Sequence, residues 1–213
     1  MPACKSRGEA LFALLAGCLL AAPACGGADA QKRITPEYDQ ATGRLKLLKY
    51  DSNGNGVTDT WSYMDGTRVV RIEIDKDEDG KIDRWEYYDA NQKIVKIGFS
   101  RQNDGTEDAW QYTGPDGGVS RIEISTRGDG QVTRIEHYER GRLVSAEEDS
   151  DEDGTIDKWE TYDGDRLASV AFDTAHRGTP DRTLIYGADG TVRVEHANGG
   201  ESRTLPSQSR RRP

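Results

Sequence analysis

The sequence is poor in the residues that build a large core or a covalent framework. Only 34% of its 213 residues are apolar or Tyr, 8% are aromatic, and the mean hydropathy is −0.83. The three cysteines, Cys4, Cys18 and Cys25, all fall near the start, so the rest of the chain can form no internal disulfide, zinc thiolate site or cysteine nucleophile. A large two-layer core is therefore not expected.

Basic charge is also scarce. The chain has 29 Lys and Arg against 38 Asp and Glu, a formal net charge of −9. Nucleic-acid binding needs an excess of basic residues on the contact face, so no nucleic-acid partner is expected. The sequence contains no nucleophile elbow, phosphate loop or zinc-binding helix motif, and its three histidines are widely separated. We therefore expect a protein that is not an enzyme.

The first 25 residues predict a secretory leader. Lys5 and Arg7 precede an uncharged run over 10–24, which is shorter than the roughly 20 apolar residues of a spanning helix. Segment 15–18, Leu-Ala-Gly-Cys, resembles the lipobox of bacterial lipoproteins, in which the cysteine is acylated. Lipidation is thus expected at Cys18 or at Cys25, which follows Ala-Pro-Ala. The alternative is signal-peptidase cleavage at an A-x-A site, which gives a soluble secreted protein.

This resemblance implies an exported protein of the bacterial cell envelope, anchored to the outer membrane by lipid or otherwise secreted. The expected organisation has four parts, namely a leader over 1–25, a Gly-rich tether over 26–32, a hairpin repeat domain over 33–197, and a disordered basic tail over 198–213.

A repeat of 24 or 25 residues fills the body of the chain. One glycine recurs with this spacing, at Gly56, Gly80, Gly105, Gly130, Gly154 and Gly178. Five residues after it stands a column that holds all four tryptophans, with members Trp61, Trp85, Trp110, Ile135, Trp159 and Thr183. Eight and six residues before it stand mostly apolar residues, which share one face of a strand because they are two apart.

These columns predict an all-β fold. Short turns such as 89–92 and 163–165 separate the strands, so the expected architecture is an antiparallel meander of about seven hairpins in an elongated twisted sheet, with no long helix in the mature body. Segment 38–45 resembles the YD repeat of Rhs-type proteins, and MORN-type arrays have a similar hairpin period. This resemblance implies a sheet stabilised mainly by stacking of neighbouring hairpins. Both an open sheet and a sheet that closes into a barrel are compatible with this pattern.

Two of the loops between hairpins carry a calcium-binding pattern. Residues 75–86 and 149–160 both match the EF-hand loop, in which alternate oxygens point inward and glycine permits the sharp reversal. Positions 1, 3, 5, 7 and 9 predict calcium ligands at Asp75, Asp77, Asp79, Lys81 and Asp83, and at Asp149, Asp151, Asp153, Thr155 and Asp157. The alternative for both loops is a plain Asp/Gly turn.

Other positions are weaker calcium candidates. Glu86 and Glu160 occupy position 12, but a strand follows the loop here, and three extended residues carry the chain about 10 Å away. The first loop has the right ligand types with less charge, at Asp51, Asn53, Asn55, Val57 and Asp59. The third of the six loops, counted along the chain, has still fewer of the right ligand types. In the fourth and sixth loops Arg or Ala replaces ligands, so these two are expected to bind no calcium.

The expected function is therefore a non-enzymatic, calcium-binding envelope lipoprotein that serves as a structural or partner-binding module. Its expected partners are a membrane, through the lipid anchor, and a protein or polysaccharide. One alternative is a carbohydrate-binding surface protein that uses the tryptophan column, which otherwise packs into the sheet. The other is a hydrolase with an unrecognised acidic site.

Overall fold

The structure is a computed structural model that describes residues 31–199 and 203–205. Apart from two helical residues at 31 and 32, the described chain forms only strands, turns and loops. The leader with Cys18 and Cys25, most of the tether, and all of the predicted tail except 198–199 and 203–205 lie outside the described residues. No helix within 31–199 and 203–205 is long and apolar enough to cross a membrane.

One open sheet of fifteen strands follows chain order from first to last. Every neighbouring pair is antiparallel, which confirms the predicted all-β hairpin meander. The strands are β1 Ile34–Tyr38, β2 Leu45–Tyr50, β3 Thr60–Asp65, β4 Arg68–Ile74, β5 Arg84–Tyr88, β6 Ile94–Phe99, β7 Ala109–Thr113, β8 Val119–Ile124, β9 Arg134–Glu139, β10 Arg142–Glu148, β11 Lys158–Asp163, β12 Arg166–Phe172, β13 Arg182–Tyr186, β14 Val192–His196 and β15 Arg203–Leu205.

The last strand differs from the sequence-based expectation. Seven hairpins account for fourteen strands, whereas Arg203–Leu205 form a fifteenth inside the segment for which the sequence predicts a disordered tail. It pairs with residues 192–194 of β14. Three residues are too few to give a periodic signal, so main-chain pairing with an otherwise free edge decides this element.

Cross-strand register places the tryptophan column on one face of the sheet. The two mostly apolar columns that precede the repeated glycine, which we call the isoleucine columns, lie on the opposite face. Trp85 lies between Glu73 and Gly98 on the neighbouring strands, whereas Ile97 lies between Glu86 and Gln111. Because successive residues of a strand alternate sides, each face mixes one apolar column with charged and polar residues. We call these the tryptophan face and the isoleucine face.

The sheet is a single layer. Every strand contact in the described chain joins neighbours in the sheet, and only five apolar residues are buried, namely Trp85, Ile97, Ala109, Ala146 and Val170. Long polar side chains cover part of the remaining apolar surface, since Arg71 lies 4.4 Å from the ring centre of Tyr63 and Arg121 lies 4.2 Å from that of Tyr112. The absence of a two-layer core, expected from composition, is thus compensated by side-chain ladders along each face.

Candidate functional site

Six loops lie at one end of the strands, and each joins an even-numbered strand to the next odd-numbered one. They are the first loop 51–59, the second 75–83, the third 100–108, the fourth 125–133, the fifth 149–157 and the sixth 173–181. We number positions 1 to 9 from the first residue of each loop.

All six loops share one main-chain frame. The N–H of position 9 donates to the carbonyl just before the loop, as from Asp83 to Ile74 at 2.9 Å. From the second loop on, the N–H of position 1 donates to the position 9 carbonyl of the preceding loop, as from Asp75 to Asp59 at 2.9 Å, whereas Asp51 of the first loop donates to the Arg33 carbonyl at 3.1 Å. Acidic and non-acidic loops keep this pattern alike, so the frame itself needs no bound ion.

Each loop curls through two left-handed residues, at positions 4 and 6. In the second loop Glu78 has φ of 60° and Gly80 has φ of 87°. Position 6 is glycine in every loop, because a residue with a Cβ atom loses about 1–2 kcal/mol in this conformation. The two reversals turn the side chains of positions 1 and 9 toward the loop interior.

The second loop contains the clearest candidate for a cation site. Carboxylate oxygens of Asp75, Asp77 and Asp83 lie within 4.8 Å of one another. Asp75 is only 3% exposed; its Oδ2 accepts the Gly80 N–H at 2.9 Å, whereas its buried Oδ1 has no hydrogen-bond partner. A buried carboxylate oxygen without a partner is costly, and a bound cation is one way to satisfy it.

The other two predicted ligands of the second loop face differently. Asp79 accepts the Lys81 N–H at 2.9 Å through Oδ1, while its Oδ2 lies 3.4 Å from Lys81 Nζ and 3.3 Å from Asn103 Nδ2. Lys81 also donates from Nζ to the Asn103 carbonyl at 3.1 Å. The structure thus brings three of the predicted side chains together and turns Asp79 toward the third loop.

The fifth loop has the same sequence pattern but a different arrangement. Asp149 accepts main-chain N–H groups on both oxygens, at 3.1 and 2.8 Å. Both oxygens of Asp157 accept hydrogen bonds from Ser150, each at 2.8 Å. The Thr155 N–H donates to Asp153 at 2.8 Å. Among the predicted ligands of this loop, only Asp151 and Asp153 join a cluster of possible ligands, and its third member, His176, was missed by sequence reasoning.

The first loop satisfies its oxygens internally. Asp51 accepts from Gly54 at 2.6 Å and from Gly56 at 2.8 Å. The side-chain oxygens of the three remaining polar ligand candidates, Asn53, Asn55 and Asp59, also accept hydrogen bonds from within the loop, Asn55 from the N–H of Val57. Each of these candidate ligands thus has a hydrogen-bond partner within the loop.

Position 12 lies on the sheet. Glu86 sits within β5 and accepts from Arg84 at 2.9 Å and from the Tyr88 hydroxyl at 2.7 Å. Glu160 sits within β11, is 8% exposed, and accepts from Arg134 at 2.9 Å. Neither glutamate belongs to the loop clusters described here, and both take part in the ladder on the isoleucine face.

The basic loops close without acidic clusters. In the fourth loop, buried Ser125 and Thr133 stand at positions 1 and 9, where the second loop has Asp. Arg127 forms ion pairs with Asp129 at 3.0 Å and with Glu152 at 3.2 Å. In the sixth loop, Asp173 accepts three main-chain N–H groups through Oδ2, while its buried Oδ1 has no partner. Ala175 and Arg177 remove the carboxylates of positions 3 and 5, although Asp181 keeps the one at position 9.

Position 4 of the second, third and fifth loops reaches back into the loop before it, whereas the fourth loop has Gly128 there. Glu78 accepts from Asn53 and, at 2.6 Å, from Asn55. Asn103 donates to Asp77 at 3.0 Å, and Glu152 accepts from Arg127 at 3.2 Å. These three junctions are therefore joined by side-chain hydrogen bonds as well as by the main-chain frame, and the bonding groups differ from one junction to the next.

No protein-family model and no curated protein matches the sequence. Among solved structures, the chain is similar to TarM, with 14% identity and a TM-score of 0.37 over 45% of this chain and 18% of that one. A mutant of S. aureus TarM in complex with fondaparinux, alpha-GlcNAc-glycerol and UDP gives 13% identity and a TM-score of 0.38, over 48% of this chain and 19% of that one.

The structure of accessory secretory proteins 1, 2 and 3 from Streptococcus pneumoniae gives 15% identity and a TM-score of 0.38, over 50% of this chain and 19% of that one. The chain thus spans less than a fifth of each of these three chains. Likeness of this degree carries no conclusion about function.

Proposed function

We propose that the protein is a non-enzymatic lipoprotein of the bacterial cell envelope, in which a calcium ion bound by the second loop braces a single-layer hairpin sheet that serves as a structural or partner-binding module. The observation that carries the calcium proposal is the buried, unpartnered Oδ1 of Asp75 beside two further carboxylates. The lipobox-like segment ending at Cys18 supports the envelope location.

The charge of the second loop favours a cation. Two carboxylates 4 Å apart repel each other by about 4 kcal/mol at an effective dielectric constant of 20. Asp75, Asp77 and Asp83 place three such groups within 4.8 Å, and Asp75 is shielded from water. A divalent ion replaces this repulsion with attraction and gives the free oxygen of Asp75 a partner.

The donor atoms favour calcium among divalent ions. All three clustered side chains offer carboxylate oxygen, which hard ions prefer, and a loop with several carboxylates provides the flexible coordination that Ca²⁺ accepts more readily than Mg²⁺. Extracellular calcium sites bind at about 10⁻⁴ to 10⁻³ M, so a site of this kind is filled outside a cell and acts as a permanent brace. The second loop carries this proposal, rather than the fifth, because both oxygens of Asp149 accept main-chain hydrogen bonds whereas one buried oxygen of Asp75 has no partner.

A matched pair of substitutions tests the calcium site. Asp75→Asn keeps an oxygen for the Gly80 N–H but replaces the unpartnered oxygen with an amide that cannot bind a cation. Asp173→Asn makes the same change in the sixth loop, where a buried Oδ1 also lacks a partner but positions 3 and 5 carry no carboxylate. The full chain and both variants are melted in about 5 mM CaCl₂ and in EGTA.

We expect calcium to raise the melting temperature of the unaltered chain by about 3–5 °C, the shift that a site filled tenfold above its Kd produces in a chain of this size. Asp173→Asn keeps this shift and Asp75→Asn loses it. Equal melting of the unaltered chain in calcium and in EGTA would refute the proposal.

A further inference from the structure

A second cluster of possible ligands joins two neighbouring loops. Asp151 and Asp153 belong to the fifth loop and His176 to the sixth, and ligand atoms of all three lie within 4.8 Å of one another. His176 Nδ1 is 3.6 Å from Asp151 Oδ2 and 3.6 Å from Asp153 Oδ2. Both distances exceed the 2.7–3.2 Å of an N–H···O hydrogen bond, so the imidazole faces two carboxylates without bonding to either.

The fold places His176 there through the same device that operates at other loop junctions. His176 occupies position 4 with a left-handed φ of 50°, as Glu78, Asn103 and Glu152 do in their loops. Those three residues make direct hydrogen bonds to the preceding loop, whereas His176 keeps a longer distance from both of its neighbours. Its separation from the carboxylates is therefore peculiar to this junction.

The distances fit ligands that share one small ion. Nitrogen and oxygen ligands lie about 2.1 Å from tetrahedral Zn²⁺, and two ligands at that radius are about 3.4 Å apart. The two measured separations of 3.6 Å are close to this value. The Oδ1 atoms of Asp151 and Asp153 accept main-chain N–H groups inside the loop, at 3.4 and 2.8 Å, which leaves each Oδ2 facing the imidazole.

The donor set differs from that of the second loop. Two carboxylate oxygens and one imidazole nitrogen suit zinc and other transition-metal dications, whereas calcium selects oxygen alone. Binding requires the lone pair of Nδ1, so the imidazole proton resides on Nε2. All three side chains are exposed, so an ion can enter from solvent and water can complete its coordination shell.

We propose that Asp151, Asp153 and His176 form a site for a divalent transition-metal ion of the zinc class, which joins the fifth loop to the sixth. The site does not depend on the calcium proposed for the second loop, since the two share no residue. An ion held here crosslinks two consecutive hairpin units through side chains, where three other junctions use hydrogen bonds from position 4.

Zinc titration of the full chain tests this site. The three cysteines are first alkylated with iodoacetamide because thiolates bind zinc, and about 1 mM CaCl₂ is present throughout to fill oxygen-only sites. His176→Gln is compared with His137→Gln, a matched control whose imidazole Nε2 lies 3.7 Å from the single carboxylate of Glu147. Calorimetry measures zinc affinity, and the visible absorption of bound Co²⁺ reports nitrogen ligation.

We expect one zinc ion to bind, with affinity about tenfold or more weaker in His176→Gln and unchanged in His137→Gln. The Co²⁺ absorption is expected to weaken only in His176→Gln. Both variants should melt like the unaltered chain in EDTA, since both imidazoles are substantially exposed. Equal zinc affinity in His176→Gln and the unaltered chain would overturn the site, and so would loss of zinc binding when calcium is raised to about 10 mM.

Discussion

Arg134 Nη2 lies 2.9 Å from Glu160 Oε2, so one guanidinium group extends from β9 across β10 to β11. The same group contacts Glu136 at 3.0 Å and Glu148 at 2.9 Å. Lys158 Nζ completes the network at 2.8 Å from both Glu148 and Glu160. On the isoleucine face, this network of ion pairs connects three strands, as apolar packing connects the elements of a layered protein.

This network of ion pairs predicts that the folding stability of the sheet falls in acid. Burial opposes ionisation of Glu160, but hydrogen bonds from Lys158, Arg134 and Tyr162 outweigh it and lower its pKa from the ordinary 4.5 to about 2. Because the folded pKa is below the unfolded one, this stability is fully present above about pH 4.5 and is lost as the pH falls toward 2. The shift corresponds to about 3 kcal/mol.

Urea unfolding at pH 7 and pH 3 measures this contribution. Glu160→Gln is expected to lose about 3 kcal/mol at pH 7 and to change less between the two pH values than the unaltered chain. Glu139→Gln, at an exposed position ending β9, serves as the control and should stay within about 0.5 kcal/mol. Parallel loss of stability on acidification in the unaltered chain and in Glu160→Gln would contradict the assignment.

The side-chain hydrogen-bond acceptor at position 9 of the loops provides a second prediction. Asp108 is 2% exposed and accepts the Arg101 N–H at 2.8 Å, while Thr133 does the same for Thr126 at 3.1 Å in the fourth loop. Asp108→Ala removes the acceptor and should cost about 1–3 kcal/mol of unfolding free energy. Asp108→Thr should recover most of that loss. If chemical denaturation shows that both variants lose the same stability, the side-chain acceptor is not what holds the loop.

A close approach on the tryptophan face gives a third prediction. Gly98 lies between Trp85 and Trp110, and a methyl group there would meet Glu107 Cδ at 2.7 Å. Glu107 is held by the Trp110 indole N–H, which donates to it at 2.5 Å. Gly98→Ala should therefore cost about 1–3 kcal/mol.

A double variant separates crowding from other effects at Gly98. Glu107→Ala removes the obstructing side chain, so its combination with Gly98→Ala should be more stable than the sum of the two single losses indicates. The measurement is a double-mutant cycle of unfolding free energies. Simple additivity would show that the glutamate is not the obstacle.

The tryptophan column predicts unequal contributions to stability. Trp85 is 7% exposed, whereas the other three tryptophans are half-buried. Trp85→Ala should cost about 3–5 kcal/mol, and Trp61→Ala, in the same column nearer the first strand, should cost less. Denaturant unfolding checks the order, which equal losses would contradict.

Much of the fold can be predicted from sequence because two local rules repeat many times. Glycine at position 6, as at Gly80, satisfies a left-handed backbone, and alternation in strands such as β4 marks the two faces. Summed over six loops, these signals fix the hairpin period and the strand order. The three-residue strand β15 escapes prediction because it depends on pairing with a free edge.

The candidate sites are only partly predictable. Asp75, Asp77 and Asp83 follow from loop spacing, but which carboxylate oxygen stays free depends on main-chain hydrogen bonds that spacing does not determine. His176 was missed because its partners belong to the preceding repeat. Aligning position 4 across the loops, with Glu78 as one member, provides the signal that would have found it.

The shared main-chain frame of the loops contains no stop signal. Each loop offers its position 9 carbonyl to the next loop in the same way, so any unit is an acceptable neighbour for any other at the backbone level. Unequal recombination between copies can therefore lengthen or shorten the sheet by whole units without remodelling the survivors. The number of strands in the sheet then follows the number of units, while the side chains at each junction set the charge that the junction presents.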